Sequence, residues 1–99
     1  MEKTISVRVD QRKLTEIKGI SIEEKRKNSE VLREALELGI RQKKLLIALE
    51  KYRKREVSIG KASEIAGISI SRFMDTLREN NITFNYTAED FAEDVEDLL

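Results

Sequence analysis

The sequence predicts a mainly α-helical protein with one N-terminal β-strand that pairs across a homodimer, followed by a small helix-turn-helix and an acidic C-terminal helix. Three observations lead to this fold class. Residues 3–9 alternate apolar and polar side chains, as a half-buried strand does. Apolar side chains after residue 10 recur mostly at helical spacing. The chain has 99 residues, so one domain or two very small ones are expected.

The N-terminal strand determines the expected assembly. Its apolar positions are Ile5, Val7 and Val9, and its polar positions are Thr4, Ser6 and Arg8. No other segment is strong enough to pair with it, and an unpaired strand leaves its backbone donors and acceptors open. The same strand from a second copy, antiparallel across a two-fold axis, would solve this problem. An ordinary half-buried strand with a polar outer face is the alternative interpretation.

Two helices are expected to follow the strand. The first runs from Gln11 to about Lys25, with a weak apolar pattern. The second begins at Asn28 or Ser29 as N-cap, with an acidic Glu30 in its first turn. Residues 29–55 form either one helix or two, because Gly39 and a polar run interrupt the pattern. The apolar side chains expected to face inward include Leu14, Ile17, Val31, Leu32, Leu36 and Leu38.

Residues 57–80 have the spacing of a helix-turn-helix. Ser58 can cap its first helix, Gly67 allows the turn, and Phe73 anchors the second helix. Its start offers a candidate second DNA contact through Ser69, Ser71 and Arg72, and packing or partner docking is the competing use. The expected divisions are a DNA-binding and dimerisation domain (1–41), a connecting helix (42–56), a helix-turn-helix-like unit (57–82) and an acidic aromatic tail (83–99).

Charge is divided unequally along the chain. The totals of 19 basic and 19 acidic residues give zero net charge. Residues 1–78 carry all 19 basic residues and 12 acidic ones, a net charge of +7, whereas residues 79–99 carry seven acidic residues and no basic one. A basic body and an acidic tail indicate two surfaces for different partners. A tail that only keeps the chain in solution, or that folds back on the body, is the alternative.

Missing residue types exclude several functions. The chain has no Cys and no His, which excludes disulfides, thiol nucleophiles, zinc-thiolate sites and imidazole bases. No apolar run is long enough to span a membrane, and the N-terminus is not a signal peptide, so a cytoplasmic location is expected. A carboxylate metal site could draw only on acids of the last helix, which face several directions. No catalytic residue, cofactor or metal is therefore expected.

The N-terminal region resembles the ribbon-helix-helix class of DNA-binding proteins. The resemblance covers residues 3 to about 41 and lies in TISVRVD and the later NSEVLREALELGI. It implies an intertwined dimer whose outward strand residues read bases, here Thr4, Ser6 and Arg8. Its second helix begins with a phosphate-binding turn, here Asn28 and Ser29. Lys3, Lys25 and Lys27 are further candidate phosphate contacts, and Arg26 adds positive charge beside them. The turn lacks the usual glycine, which leaves Asn28 to supply an unusual backbone conformation.

Residues 48–97 resemble a family of small prokaryotic antitoxin-like proteins that often accompany PIN-domain ribonuclease toxins. The resemblance lies in SIGKASEIAGIS and in Phe-Asn-Tyr before the acidic end. It implies a C-terminal part that binds a toxin and an N-terminal part that represses the operon. Aromatic anchors among acids suit a basic partner surface. The partner-binding candidates are Phe84, Tyr86, Asp90, Phe91, Glu93 and Asp94.

The sequence therefore predicts a sequence-specific DNA-binding homodimer that serves as antitoxin and autorepressor beside a PIN-type ribonuclease toxin. Its expected partners are double-stranded operator DNA, a second copy of itself and a toxin, with no membrane. Two alternatives stay open. One is a protein interaction module that uses the strand only for dimerisation, and the other is a transcription regulator without a toxin.

Overall fold

A computed structural model describes residues 2–83, which contain four α-helices. These are α1 (Gln11–Glu24), α2 (Asn28–Arg53), α3 (Ile59–Ala66) and α4 (Ile70–Glu79). The chain divides into two compact units, here called the N-terminal unit (Met1–Leu38) and the C-terminal unit (Gly39–Leu99). The predicted acidic C-terminal helix falls outside the described residues.

The predicted N-terminal β-strand is wrong, and the ribbon-helix-helix fold that depends on it is wrong as well. Residues 2–10 have no regular secondary structure, and no strand occurs anywhere among residues 2–83. A strand requires a partner for its backbone groups, and residues 11–83 are helices and short connections without a second extended segment. The apolar alternation therefore forms no buried face: Ile5 is 85% exposed and Val7 is 76% exposed.

Helix α1 begins and ends close to its predicted positions. The Asp10 carboxylate accepts a hydrogen bond from the Lys13 backbone N–H at 2.9 Å and so caps the first turn. The helix ends at Glu24, and the next residue, Lys25, has a left-handed φ of 55° that lets the chain turn toward α2. Lys25, and not Asn28, thus has the unusual conformation between the two helices. Asn28 is instead the first residue of α2.

Helix α2 is one continuous helix of 26 residues that passes through Gly39 without a break. In the N-terminal unit, Val31 is the only apolar side chain of residues 2–38 that is buried. Leu14, Leu32, Leu36 and Leu38 were expected to face inward but are at least 40% exposed, whereas Ile17 is half-buried. Ile20 and Ile22 of α1 are also at least 47% exposed. The N-terminal unit therefore presents much of its apolar surface to solvent.

The C-terminal unit contains a closed hydrophobic core. Phe73, Ile59 and Leu77 are fully buried at its centre. The Tyr52 ring of α2 meets the Phe73 ring edge to face, with 6.1 Å between their centroids. The small side chains Ala48, Ala62 and Ala66 are also buried here, as close packing of helices requires. The end of α2, α3 and α4 thus form one packed body.

None of the helices within residues 2–83 is both long and apolar enough to cross a membrane.

Candidate nucleic-acid interface

Helices α3 and α4 are the two short helices that the sequence predicts for residues 57–80. Both begin at a serine cap: the hydroxyls of Ser58 and Ser69 accept the backbone N–H groups of Lys61 and Arg72, each at 3.1 Å. Gly67 ends α3 with a φ of 73°, the left-handed conformation that glycine adopts without strain. The turn between the helices is therefore fixed by the local sequence.

Helix α4 presents a polar face opposite the buried Phe73 and Leu77. Ser71, Arg72 and Asp75 are exposed on this face. The Asp75 carboxylate accepts a hydrogen bond from the Arg78 guanidinium at 2.7 Å, so part of its negative charge is already neutralised. Among residues 2–83, Arg72 forms no ion pair. Its guanidinium, in the first turn of α4, is thus available to a ligand.

The three residues predicted as a second DNA contact have different environments. The Ser69 hydroxyl already acts as the α4 cap, so its oxygen serves the helix. Ser71 and Arg72 lie in the first turn and are exposed. The first turn of a recognition helix is the part that reaches base edges in helix-turn-helix proteins, and Arg pairs well with guanine there.

The predicted base readers of the N-terminal segment lie in residues without regular secondary structure. Thr4, Ser6 and Arg8 are all exposed, but strand alternation, which would have put them on one common face, is absent. The predicted phosphate contact Lys3 lies in the same exposed segment. Their roles stay predictions, now without the ribbon that motivated them.

The other predicted phosphate contacts are exposed: Lys25 and Lys27 lie between α1 and α2, and Asn28 and Ser29 are the first residues of α2. Asn28 Oδ1 is hydrogen-bonded to the Ser21 hydroxyl at 2.6 Å, so this side chain already joins the two helices.

Arg26, which lies between Lys25 and Lys27 in the sequence, forms ion pairs with acidic side chains of α2. Its guanidinium pairs with Glu34 at 2.9 Å and lies within 3.6 Å of the Glu30 carboxylate. The hydrogen bond from Arg26 to Glu34 raises the pKa of Arg26. Its charge is balanced inside the protein, and the acids around it oppose an incoming phosphate.

A second group of basic residues was not assigned a role from the sequence. The segment of residues 41–55, here called the basic segment, has seven basic residues and one acid, Glu50. The basic residues are Arg41, Lys43, Lys44, Lys51, Arg53, Lys54 and Arg55. The signal for the basic segment is its local excess of positive charge. In the sequence this signal coincides with the break in apolar spacing near Gly39, which indicates a possible helix boundary.

At the end of this segment, Glu50 is held by two cations. Its carboxylate accepts hydrogen bonds from both Nε and Nη2 of Arg53, the first at 3.0 Å, and lies 3.6 Å from Lys54 Nζ. The hydrogen bonds from Arg53 lower the pKa of Glu50, and the same contact raises the pKa of Arg53. Arg55, in a left-handed conformation, places its guanidinium 5.9 Å from the Tyr52 ring centroid.

Comparison with known proteins places the chain in a family. The model of the Uncharacterised protein family (UPF0175) matches residues 13–99. The chain belongs to the UPF0175 family. A UPF0175 protein of Archaeoglobus fulgidus is 47% identical over 53 residues, which cover 54% of this chain and 61% of that relative. The chain thus spans less than two thirds of this relative's length. No solved structure matches the chain.

The UPF0175 match extends through the acidic end of the chain, where the predicted partner-binding residues lie. These residues, Phe84, Tyr86, Asp90, Phe91, Glu93 and Asp94, are outside the described range. So is Glu89, another acid of the predicted last helix. Within residues 2–83, no group of three or more acidic side chains is arranged to hold a metal ion.

Proposed function

We propose that this UPF0175 protein is a sequence-specific DNA-binding homodimer, the antitoxin and autorepressor of a pair with a PIN-type ribonuclease toxin, acting in the cytoplasm. The observation that carries the DNA-binding part is the capped helix-turn-helix of α3 and α4. Its second helix opens with an exposed Arg72 on a body that also contains the basic segment.

The geometry of the C-terminal unit supports base reading by α4. Its buried face is anchored by Phe73 and Leu77, so the opposite face is held in a fixed orientation. Arg72 lies in the first turn, where recognition helices contact base edges. An Arg side chain that donates to both acceptors of guanine discriminates against other bases by about 1–3 kcal/mol.

The exposed apolar surface of the N-terminal unit supports the homodimer. Val31 is the only buried apolar side chain of residues 2–38, whereas Leu36 is 65% exposed and Ile22 is 77% exposed. Monomeric proteins rarely expose large continuous apolar surface, and such surface marks association sites. A second copy offers the same surface and can cover it across a two-fold axis. The dimer is proposed through the helices, without pairing of residues 3–9 as strands.

The toxin part of the proposal is supported by sequence alone. Three of the five aromatic residues, Phe84, Tyr86 and Phe91, lie within eight positions in a stretch that has acids and no basic residue. Aromatic anchors flanked by acids fit a basic groove such as a ribonuclease uses for RNA. The resemblance to antitoxin-like proteins has the same implication.

A mobility-shift assay tests DNA binding. The probe is a duplex from the DNA directly upstream of the reading frame, with a scrambled duplex of equal composition as competitor. We expect Arg72→Ala to weaken specific binding roughly tenfold or more. Arg12→Ala is the matched control, since Arg12 is exposed on α1 in the other unit. Equal affinity for both duplexes, or equal effects of the two variants, would contradict the proposal.

Arg8→Ala, measured in the same assay, tests the N-terminal base readers separately. If Arg8 contacts a base, this variant loses specificity as Arg72→Ala does. If the helix-turn-helix alone reads the sequence, Arg8→Ala weakens binding to both duplexes equally, because it removes only one positive charge.

The toxin proposal requires a different measurement. A neighbouring reading frame for a small PIN-type ribonuclease would supply the partner, and co-expression would measure capture and neutralisation. We expect Phe84→Ala with Phe91→Ala to abolish capture while the mobility shift is retained. A variant pair that still captures and neutralises the ribonuclease would show that the tail is not the binding segment.

A protein interaction module without a DNA role is the second candidate function, and the exposed apolar surface of the N-terminal unit favours it. Salt dependence separates the two. Specific readout persists at moderate salt, whereas incidental attraction between basic residues and DNA falls steeply as salt is added.

A further inference from the structure

We propose that the basic segment, residues 41–55, holds the sugar-phosphate backbone of the duplex that the helix-turn-helix reads. This inference rests on the proposed DNA-binding function and adds the surface that supplies most of its affinity. None of the site residues predicted from the sequence lies in this segment.

The first argument comes from the charge of the helix-turn-helix itself. Helix α3 contains one basic and one acidic residue, Lys61 and Glu64, and α4 contains two of each, so both helices have zero net charge. DNA presents a dense row of phosphates, and affinity requires cations that neutralise them. The helix-turn-helix must therefore obtain its positive charge from another part of the same body. The basic segment, with a net charge of +6, supplies it.

The second argument is that the basic segment belongs to that body. Leu45, Ala48, Leu49 and Tyr52 alternate with its basic residues, and all four pack into the core that contains Phe73 of α4. The charges are thus attached to a helix that is fixed relative to the recognition helix. Lys44 and Lys51, two helical turns apart, lie on one side of α2. A rigid row of cations loses less conformational entropy on binding than a flexible one.

The third argument is that much of this charge is available. Glu50 neutralises part of Arg53 and Lys54, and the Lys51 ammonium lies 4.0 Å from Glu56. At the other end, the exposed side chains of Arg41, Lys43 and Lys44 form no ion pair with any of residues 2–83. These three cations are therefore the main phosphate contacts of the segment.

The test measures how duplex affinity depends on salt. Fluorescence anisotropy of the full chain with a labelled upstream duplex gives the slope of log affinity against log salt. We expect the triple variant Arg41→Gln, Lys43→Gln, Lys44→Gln to reduce this slope by about 2 to 3, since each phosphate contact contributes about 0.9. Preference for the upstream over the scrambled duplex should persist, because Arg72 is unchanged. Gln is a good helix former, so α2 should remain folded, which circular dichroism verifies.

The matched control is Arg12→Gln, Lys13→Gln, Lys18→Gln, which removes the same charge from exposed positions of α1. A slope that changes equally in both triple variants, or in neither, overturns the inference. The inference is also overturned if the Arg41, Lys43, Lys44 triple variant binds single-stranded RNA more weakly than wild type while the salt slope of its duplex affinity is unchanged, because the segment would then bind RNA and not the duplex. If the wild-type chain shows no duplex preference at all, the proposed function itself fails, and the two failures are thus distinguishable.

Discussion

At the residue scale, Gly67 and Gly39 make opposite demands on the backbone. Gly67 has a φ of 73°, which L residues adopt only with strain, although an added Cβ would meet nothing within 4 Å. Gly67→Ala should therefore lower the free energy of unfolding by about 1–2 kcal/mol through the backbone alone. Gly39 lies within helix α2, and a Cβ added there would also meet nothing within 4 Å. Gly39→Ala should therefore raise the free energy of unfolding by roughly 0.5–1 kcal/mol.

Urea unfolding followed by circular dichroism measures both changes. The two substitutions add the same methyl group, so a difference in sign isolates the backbone conformation as the cause. Destabilisation by both alanines would mean that Gly39 has a role in assembly. Stabilisation by both would contradict the left-handed turn at Gly67.

Residue-level features were predictable where the signal is local. A serine before an apolar helix and a glycine after one have few alternative uses, and Ser58 and Gly67 lie where the sequence placed them. For α4 the sequence allowed either Ser69 or Ser71 at the start, and the structure shows that Ser69 is the cap. The left-handed position between α1 and α2 was placed at Asn28 but occurs at Lys25. Lys has no intrinsic preference for that conformation, and it accompanies the backbone hydrogen bonds that close the helix end, from Lys25 N–H to Ile22 and from Arg26 N–H to Ser21.

At the element scale, the start of α4 depends on one hydroxyl. Ser69→Ala removes the acceptor of the Arg72 N–H and should cost about 1 kcal/mol of unfolding free energy. Ser71→Ala is the matched control, because Ser71 is already inside the helix, where Ala is the better helix former. Thermal unfolding should give a lower midpoint for Ser69→Ala and an equal or higher one for Ser71→Ala. Equal midpoints for the two would mean that α4 is capped by another group.

The end of α2 should respond to acid through Glu50. The hydrogen bonds from Arg53, followed by the charges of Arg53 and Lys54, lower the pKa of Glu50 below its ordinary 4.5. A carboxyl whose folded pKa is lowered stabilises the fold above its unfolded pKa, and this contribution is lost as the pH falls through the folded pKa. Wild type should therefore exceed Glu50→Gln in unfolding midpoint at neutral pH, and the difference should vanish in acid.

Glu37→Gln is the control for this pH series, because Glu37 is exposed on α2 and forms no ion pair within residues 2–83. Its difference from wild type should be small and nearly independent of pH. If Glu50→Gln and Glu37→Gln followed the same curve, the Glu50–Arg53 contact would have no energetic role in solution.

Secondary-structure elements were predictable when the backbone hydrogen bonds they require are formed within the same segment. Each helix forms hydrogen bonds within its own segment, so apolar spacing was sufficient to place α1, and apolar spacing with serine caps was sufficient to place α3 and α4. A strand forms its hydrogen bonds with another segment, so alternation at Ile5, Val7 and Val9 could not establish one. Helix α2 lay between these cases: helical spacing stops near Gly39 and resumes at Leu45, and only the structure shows that one helix contains both halves.

At the scale of the whole molecule, charge and apolar surface are concentrated in different places. The net charge of the C-terminal unit's described part comes from residues 41–55, while residues 2–38 have nearly equal numbers of basic and acidic residues. The sequence revealed the contrast between body and tail. It could not show that the basic residues share a rigid body with α4, because that depends on side chains packed around Phe73.

The apolar surface of the N-terminal unit leads to the last prediction, which concerns assembly. Leu36 is 65% exposed on α2 in a unit with little core of its own. Burying a Leu side chain is worth about 1.5–3 kcal/mol, and a two-fold interface contains each side chain twice. Leu36→Glu should therefore weaken a dimer by roughly 100-fold or more, since each 1.4 kcal/mol is tenfold. Sedimentation equilibrium across a dilution series measures this directly.

The control is Leu46→Glu, which makes the same change at a 52% exposed position of α2 in the C-terminal unit. Both substitutions keep a good helix former, so a difference between them reports on the interface and not on α2 itself. We expect Leu46→Glu to remain dimeric and Leu36→Glu to become monomeric with reduced helicity, because the N-terminal unit then lacks the partner that covers its apolar side chains. A wild-type chain that stays monomeric at every concentration would remove the homodimer from the proposed function and leave DNA binding to a single helix-turn-helix.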